Sequence, residues 1–265
     1  MATKKLGGEG SITGSGQLDD AGIRGGLALL FPAGSRATAA GVEALLAQPR
    51  LAALARISSQ RGQGQGWLEL LASGLTFDLA GLAPAAGSPL VQPRHVFGLP
   101  RDVGGNDWEA CLLAPGPHLA DAGTMEPVVR TMAMLASELA QGLGALAVCW
   151  LPAASWMDVT YFARIVAGWS GGGAFPALGF CGMQRLGDGS VASEGLAFFT
   201  GQELRVEARP GEAPADTVKL AVRLADRLVR DGPIAAPGRL TGPDAEALFA
   251  EPSPDGRLVR LRRQG

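Results

Sequence analysis

With 265 residues, 47% of them apolar and only 18% charged, the chain has ample material for a sizeable core and does not read as disordered. A formal charge of −2 argues against binding driven by phosphate neutralisation, which needs a strongly basic face, so no nucleic-acid partner is expected. No apolar stretch reaches the ~20 residues of a membrane span, and Met1-Ala2-Thr3-Lys4-Lys5 runs into glycine without a signal-peptide apolar segment, so a soluble, cytoplasmic protein with no membrane partner is expected.

Residues 1–22 read as a disordered lead-in of glycine, serine and charge. Gly14-Ser15-Gly16 lacks the strand before it and the helix after it that a phosphate-holding loop needs. Residues 23–31 form a short apolar run closed by Pro32-Ala33-Gly34, which predicts a buried strand and a turn. Residues 37–47 favour a helix, broken at Gln48-Pro49. After the loop 62–66, residues 67–84 begin apolar, and Leu75 to Leu79 alternate as a half-buried strand does. Proline and glycine dominate 81–106, where His95 sits in a short piece expected to add an edge strand.

A strand is expected over 108–114. A helix comes next, with Val128, Met132, Leu135 and Leu139 on one face, Thr124 or Asp121 as its cap and Gly142 as its stop. Ala145 to Leu151 is unbroken apolar sequence, expected of a central strand buried on both faces. Residues 156–169 predict a second helix. Pro176–Met183 and Val191–Phe199 predict neighbouring strands, joined by an Asp188-Gly189 hairpin turn. Glu203 to Ala208 adds a strand, residues 215–229 a long helix, and the C-terminal Arg257–Arg263 stretch one last strand. The order is mixed, and its hairpin connections exclude a purely parallel sheet. The expected fold is therefore α+β, with mixed, largely antiparallel sheets and helices packed on one face. A loose internal echo (GLALLF with EACLLAPG, GLTFDLAGLAP with GLAFFTGQELRV) suggests two related sub-units, and the parts are taken as 23–107 and 108–265 of one compact unit.

Few residues suggest chemistry. Gly168-Trp169-Ser170-Gly171-Gly172 satisfies G-x-S-x-G, but a nucleophile elbow needs a strand before its serine and an acid and a histidine after it. Here a helix precedes Ser170, and the two histidines, His95 and His118, both lie upstream, so a glycine-rich helix stop is expected. Isolated Cys111, Cys149 and Cys181 inside apolar runs predict buried reduced thiols, and no zinc spacing exists. No metal or cofactor is expected. The basic cluster Arg257, Arg260, Arg262 and Arg263 reads as a solvated tail. Trp150, Trp156, Tyr161, Phe162 and Trp169 read mainly as core.

The segment 193–206 is the densest cluster of aromatic, glycine and acidic residues. Glu194 and Glu203 flank Leu196–Phe199; if that stretch is extended they stand roughly 25–30 Å apart, at ~3.3 Å per residue. They can cooperate as a general acid and base only if Thr200-Gly201 reverses the chain. A structural Glu203, bonded to backbone amides at the turn, is the preferred reading. Gly195, Phe199 and Glu203 match by position the C-terminal signature of the bacterial domain-of-unknown-function family 4261, and Ala147-Val148-Cys149-Trp150 resembles that family's apolar strand ending in tryptophan. Thr200 departs from the family's usual glycine, and Ser193-Glu194 from its usual Thr-Thr or Thr-Tyr. The resemblance covers about residues 108–230 and implies a soluble bacterial α+β domain with no catalytic residues to carry over.

The expected function is a non-catalytic module for contact with a protein partner, or with itself as a homodimer. The rival is an enzyme or small-ligand binder around Glu203, with Gln202, Glu194, His118 and Arg164 as the further candidates for its site.

Overall fold

The computed structural model describes residues 25–60, 64–100, 107–119 and 121–264. The expected lead-in over 1–22 lies outside the described residues, as does part of the loop 62–66. Two mixed, mostly antiparallel sheets, each with its helices on one face, make the α+β fold that the pattern predicts.

The first sheet is eight-stranded. At its heart lies β1 (Leu27–Pro32), paired antiparallel with β6 (Trp108–Pro115) on one side and β7 (Ala147–Trp150) on the other. Both faces of β1 and β7 are buried, which is why their sequences are apolar without alternation. Beyond β6 come β4 (Leu75–Ala80), β3 (Trp67–Ala72) and the edge strand β2 (Ala55–Gln60). The apolar start at 67 is thus a strand of its own. Ser73 and Gly74, at φ 50° and 79°, form the two-residue turn that separates it from β4. A bulge between Ile57 and Ser59 and exposed polar side chains blunt the β2 edge against further pairing. Beyond β7 come β8 (Ser155–Asp158) and then β5 (His95–Phe97), the expected edge strand, which runs parallel to β8.

The helix expected over 156–169 is therefore a strand and then a shorter helix. Pro152 and left-handed Ala154 (φ 46°) turn the chain back onto β7. Trp156 and Met157 then point to opposite faces, and the Trp156 indole N–H donates to the Val91 carbonyl at 3.0 Å. Asp158 caps the helix that begins at Val159, accepting from the Tyr161 amide at 2.5 Å.

Three helices, α1 (Ala39–Leu46), α3 (Glu126–Gly142) and α4 (Val159–Ser170), lie on one face of this sheet, with the single turn α2 (Pro49–Ala52) between α1 and β2. The other face buries Ala28, Leu30 and Cys149 beneath Leu90 and Leu99 of the long connection 81–100. Neither Thr124 nor Asp121 caps α3, whose N-cap is Met125 without a side-chain bond. Its stop is Gly144 rather than Gly142. Gly144 takes φ 73°, and the Ala145 amide reaches back to the Ala140 carbonyl at 2.9 Å, closing a Schellman motif. Gly142 serves packing instead, since a Cβ there would stand 2.4 Å from Leu45 of α1.

The six-stranded second sheet runs β12 (Gly238–Thr241), β13 (Ala247–Pro252), β14 (Leu258–Arg263), β11 (Glu203–Val206), β10 (Val191–Glu194), β9 (Gly182–Arg185). The Asp188-Gly189 turn joins β9 to β10 as expected, but both strands are shorter than the sequence suggests. Ala177–Phe180 is a helical turn, α5, and Ala197–Thr200 another, α6. In both, aromatic side chains leave the sheet to pack around Trp150, whose ring centroid lies 4.9 Å from Phe180 and 5.1 Å from Phe198. The strands β12 and β13 carry no strong sequence signal. The stretch 258–263 is no solvated tail: β14 lies inside the sheet, parallel to β11 and antiparallel to β13. Helix α7 (Pro214–Asp231) covers one face with Leu220, Ala221, Leu224, Ala225 and Leu228.

One continuous core joins the two sheets, and strands from both sides of residue 107 share the first.

Candidate functional site

Glu203 opens β11 after the chain reverses through Gly195 (φ 95°), α6 and Gly201 (φ 74°). The extended geometry that would hold Glu194 and Glu203 apart is replaced by this turn. The reversal directs Glu203 into the fold. Its carboxylate accepts from the amides of Gly195 at 2.8 Å and Ala197 at 3.1 Å, and from the Ser193 hydroxyl at 2.5 Å. The Ser193 oxygen in turn accepts from the Leu204 amide at 2.8 Å. Gly195 needs its bare Cα, because a Cβ would meet Ala153 at 2.9 Å as well as an unfavourable φ. Beside it Gln202, 1% exposed, accepts from the Ile234 amide and donates to the carbonyls of Ile234 and Gly256. These two candidates are fastenings: one closes the β10–β11 reversal, the other clamps the strands beyond α7. Burial above all, with the Glu203 charge adding to it, pushes the Cys181 thiol well above its ordinary range.

Glu194 goes elsewhere. It lies where the edge of the first sheet meets the second, and its carboxylate takes Arg94 at 2.5 Å and the His95 Nε2 at 3.2 Å. His95 rests directly on Gly182, where a Cβ would stand 2.0 Å from its Nε2. Together with Met183, Gln184 and Arg185 these residues line an open cleft of about 290 Å³. The sequence singles out Glu194 but pairs it with the wrong partner. Arg94, His95 and Arg185 carry no local signal beyond the edge-strand pattern around His95, because the pairing spans 99 positions.

On the face of the second sheet opposite α7, strand alternation assembles a row of arginines. Arg205 of β11 pairs in register with Arg260 of β14, and Phe249 of β13 stands between Arg262 of β14 and Arg239 of β12. The Arg262 guanidinium lies over the Phe249 ring at 5.1 Å. Arg239, Arg260 and Arg262 are exposed, and among the described residues none of the three forms an ion pair. Arg205 bonds Asp188 at 2.5 Å. Hydrogen bonds from Ser190, then Arg205, hold the Asp188 carboxyl down to about 2. Arg263, the next residue along β14, turns to the other face and forms a sheltered pair with Glu212 at 2.6 Å. Glu251 is an acidic neighbour on the open face.

The remaining candidates stand apart from both places. His118 is exposed in the 3₁₀ turn Pro117–Leu119. Arg164 is exposed on α4, its guanidinium 5.3 Å from the Tyr161 ring centre. Ser170 ends α4, and its buried hydroxyl has no hydrogen-bond partner among the described residues, so G-x-S-x-G here is a helix end and not an elbow. Among the described residues no group of three histidine, cysteine or carboxylate side chains is placed to hold a metal, and no helix is long and apolar enough to cross a membrane.

No family model, no curated protein and no solved structure matches this chain.

Proposed function

We propose that the chain is a non-catalytic protein-interaction module that docks an acidic partner protein on the arginine-bearing face of its second sheet. The observation that carries this reading is the convergence of Arg205, Arg239, Arg260 and Arg262, with Phe249 among them, on one sheet face where Arg239, Arg260 and Arg262 stand exposed. An antiparallel sheet with one helix layer normally turns polar residues of both signs to water. Here Arg205, Arg239, Arg260 and Arg262 stand with Asp188, Glu207 and Glu251 as acidic neighbours, and arginine with an aromatic neighbour is the composition of interface anchors. Acidic groups on a partner would meet the exposed guanidinium forks of Arg239, Arg260 and Arg262, while Arg205 is held by Asp188. Face-to-face pairing of two copies would set arginine against arginine, which disfavours a second copy as occupant. The reading is also supported by where the chemically able groups go: Glu203 and Ser193 are spent on the β10–β11 reversal and Glu194 on Arg94 and His95. The resemblance of residues 195–204 to family 4261 contributes no activity to this proposal.

The test is fluorescence anisotropy with a labelled glutamate octapeptide at two salt concentrations. Wild type should bind in a salt-weakened manner, and Arg260→Glu with Arg262→Glu should lower affinity by roughly tenfold or more. Unchanged binding by that variant, or tighter binding of a single-stranded oligonucleotide than of the peptide, would count against it.

A further inference from the structure

Among the described residues strand β9 has a neighbour on one side only, β10. The hairpin closes with the Leu186 amide donating to the Ser190 carbonyl at 2.8 Å, and this sets the alternation of the ladder. The pairs Gln184–Ala192 and Gly182–Glu194 then face inward, and the backbone groups of Met183 and Arg185 turn to the free side. Among the described residues nothing pairs with them. Met183, Gln184 and Arg185 line a cleft there together with Arg94, His95 and Glu194. Arg94 is 63% exposed although one side of it holds Glu194, so guanidinium N–H groups remain turned to solvent.

We propose that the free edge of β9 receives an extended acidic segment of the partner protein as a seventh strand of the second sheet, with acidic side chains met by Arg94 on one face and Arg185 on the other. This rests on the reading of the chain as an interaction module and names how the partner is gripped. Main-chain bonds to Met183 and Arg185 supply affinity, and the two guanidinium groups select acidic side chains. The occupant is acidic because the cleft carries two arginines against one glutamate. A second copy would bring those arginines against themselves. The cleft straddles the edge: Gly182 and Gln184, in register with Glu194 and Ala192, stand on the face of the arginine row, and Arg185, in register with Val191, stands on the face of α7. Gly182, bare of a side chain, lets His95 rest directly against the strand.

The probe is a labelled nonapeptide of alternating valine and glutamate, compared with the same peptide N-methylated at every second amide. On wild type, methylation should weaken binding by roughly tenfold or more, since it removes the main-chain bonds and leaves every charge in place. Met183→Pro, which deletes an amide on the free side only, should weaken the unmethylated peptide alike, with its folding checked by a thermal melt; if that variant melts early, the methylated peptide decides alone. Equal binding of the two peptides, with both weakened by Arg260→Glu and Arg262→Glu, would overturn strand addition and leave the docking face standing. Binding of neither would remove both. Self-association of the protein that Met183→Pro abolishes, with no difference between the peptides, would overturn the proposal in favour of a second copy.

Discussion

His95 of the first sheet lies against the backbone of Gly182 in the second, so close that a methyl group at 182 would stand 2.0 Å from its Nε2. The contact fixes where the two sheets meet and makes the absence of a side chain at 182 a structural requirement.

Gly182→Ala should therefore destabilise the protein by about 1–3 kcal/mol through overpacking. In a His95→Ala background most of that cost should vanish, because the ring that the methyl group strikes is gone. A double-mutant cycle from urea unfolding measures this coupling. Equal cost in both backgrounds would mean that His95 does not occupy this position.

Glu203→Ala should lower stability by about 2–4 kcal/mol, leaving the Gly195 and Ala197 amides and the Ser193 hydroxyl without their acceptor. Peptide binding at the arginine face should change little. Thermal melts beside the anisotropy titration check both halves, and an unchanged melting midpoint would contradict the fastening role.

Burial pushes the thiols of Cys111 and Cys149 up to about 12 and that of Cys181 well above its ordinary value. All three are free and buried, so the native protein should resist a thiol-reactive dye at pH 8 and react at three sites once unfolded in urea. Fast labelling of any one in the folded state would show an opening that the packing does not contain.

Asp188 titrates at about 2 in the folded chain against an ordinary 3.8. Its folded value is depressed, so its contribution is fully present above roughly pH 4 and is lost as pH falls towards 2. Asp188→Asn should accordingly flatten the acid side of the stability profile in that window, read by urea unfolding at a series of pH values. A wild-type slope retained in the variant would place the acid sensitivity on other carboxylates.

Ser170→Ala should leave the protein inert towards an activated ester, as wild type should be, and should not lower its melting temperature, since the hydroxyl has no hydrogen-bond partner among the described residues. Serine-directed labelling that disappears in this variant would restore the nucleophile reading.

Much of this fold is legible from local pattern. The apolar run at β7, the four helical anchors from Val128 to Leu139 and the Asp188-Gly189 turn are short-range signals, and the chain obeys them. What pattern misreads are places where tertiary contact overrides propensity. Trp156 and Met157 look helical beside Tyr161 and Phe162, yet Ala154 in the left-handed region commits them to a strand. Phe198 and Phe199 look like strand, but Gly195 turns them into the aromatic core around Trp150. The structural part of Glu203 could be read from Gly195 and Gly201, the two turn glycines that precede it. The meeting of Glu194 with His95 could not, because nothing local couples residues from different sheets. The arginine row escapes notice for the same reason. Arg205, Arg239 and Arg260 are scattered in sequence, and only the register of β11 to β14 gathers them.

The most direct measurement is a ¹⁵N–¹H spectrum of the labelled protein titrated with the glutamate octapeptide. We expect the shifted amides to fall on β11, β12, β13 and β14, following Arg205, Arg239, Arg260 and Arg262, with α1 and α3 unmoved. Shifts confined to the helical side, or none at all at peptide concentrations well above the protein's, would contradict the docking face.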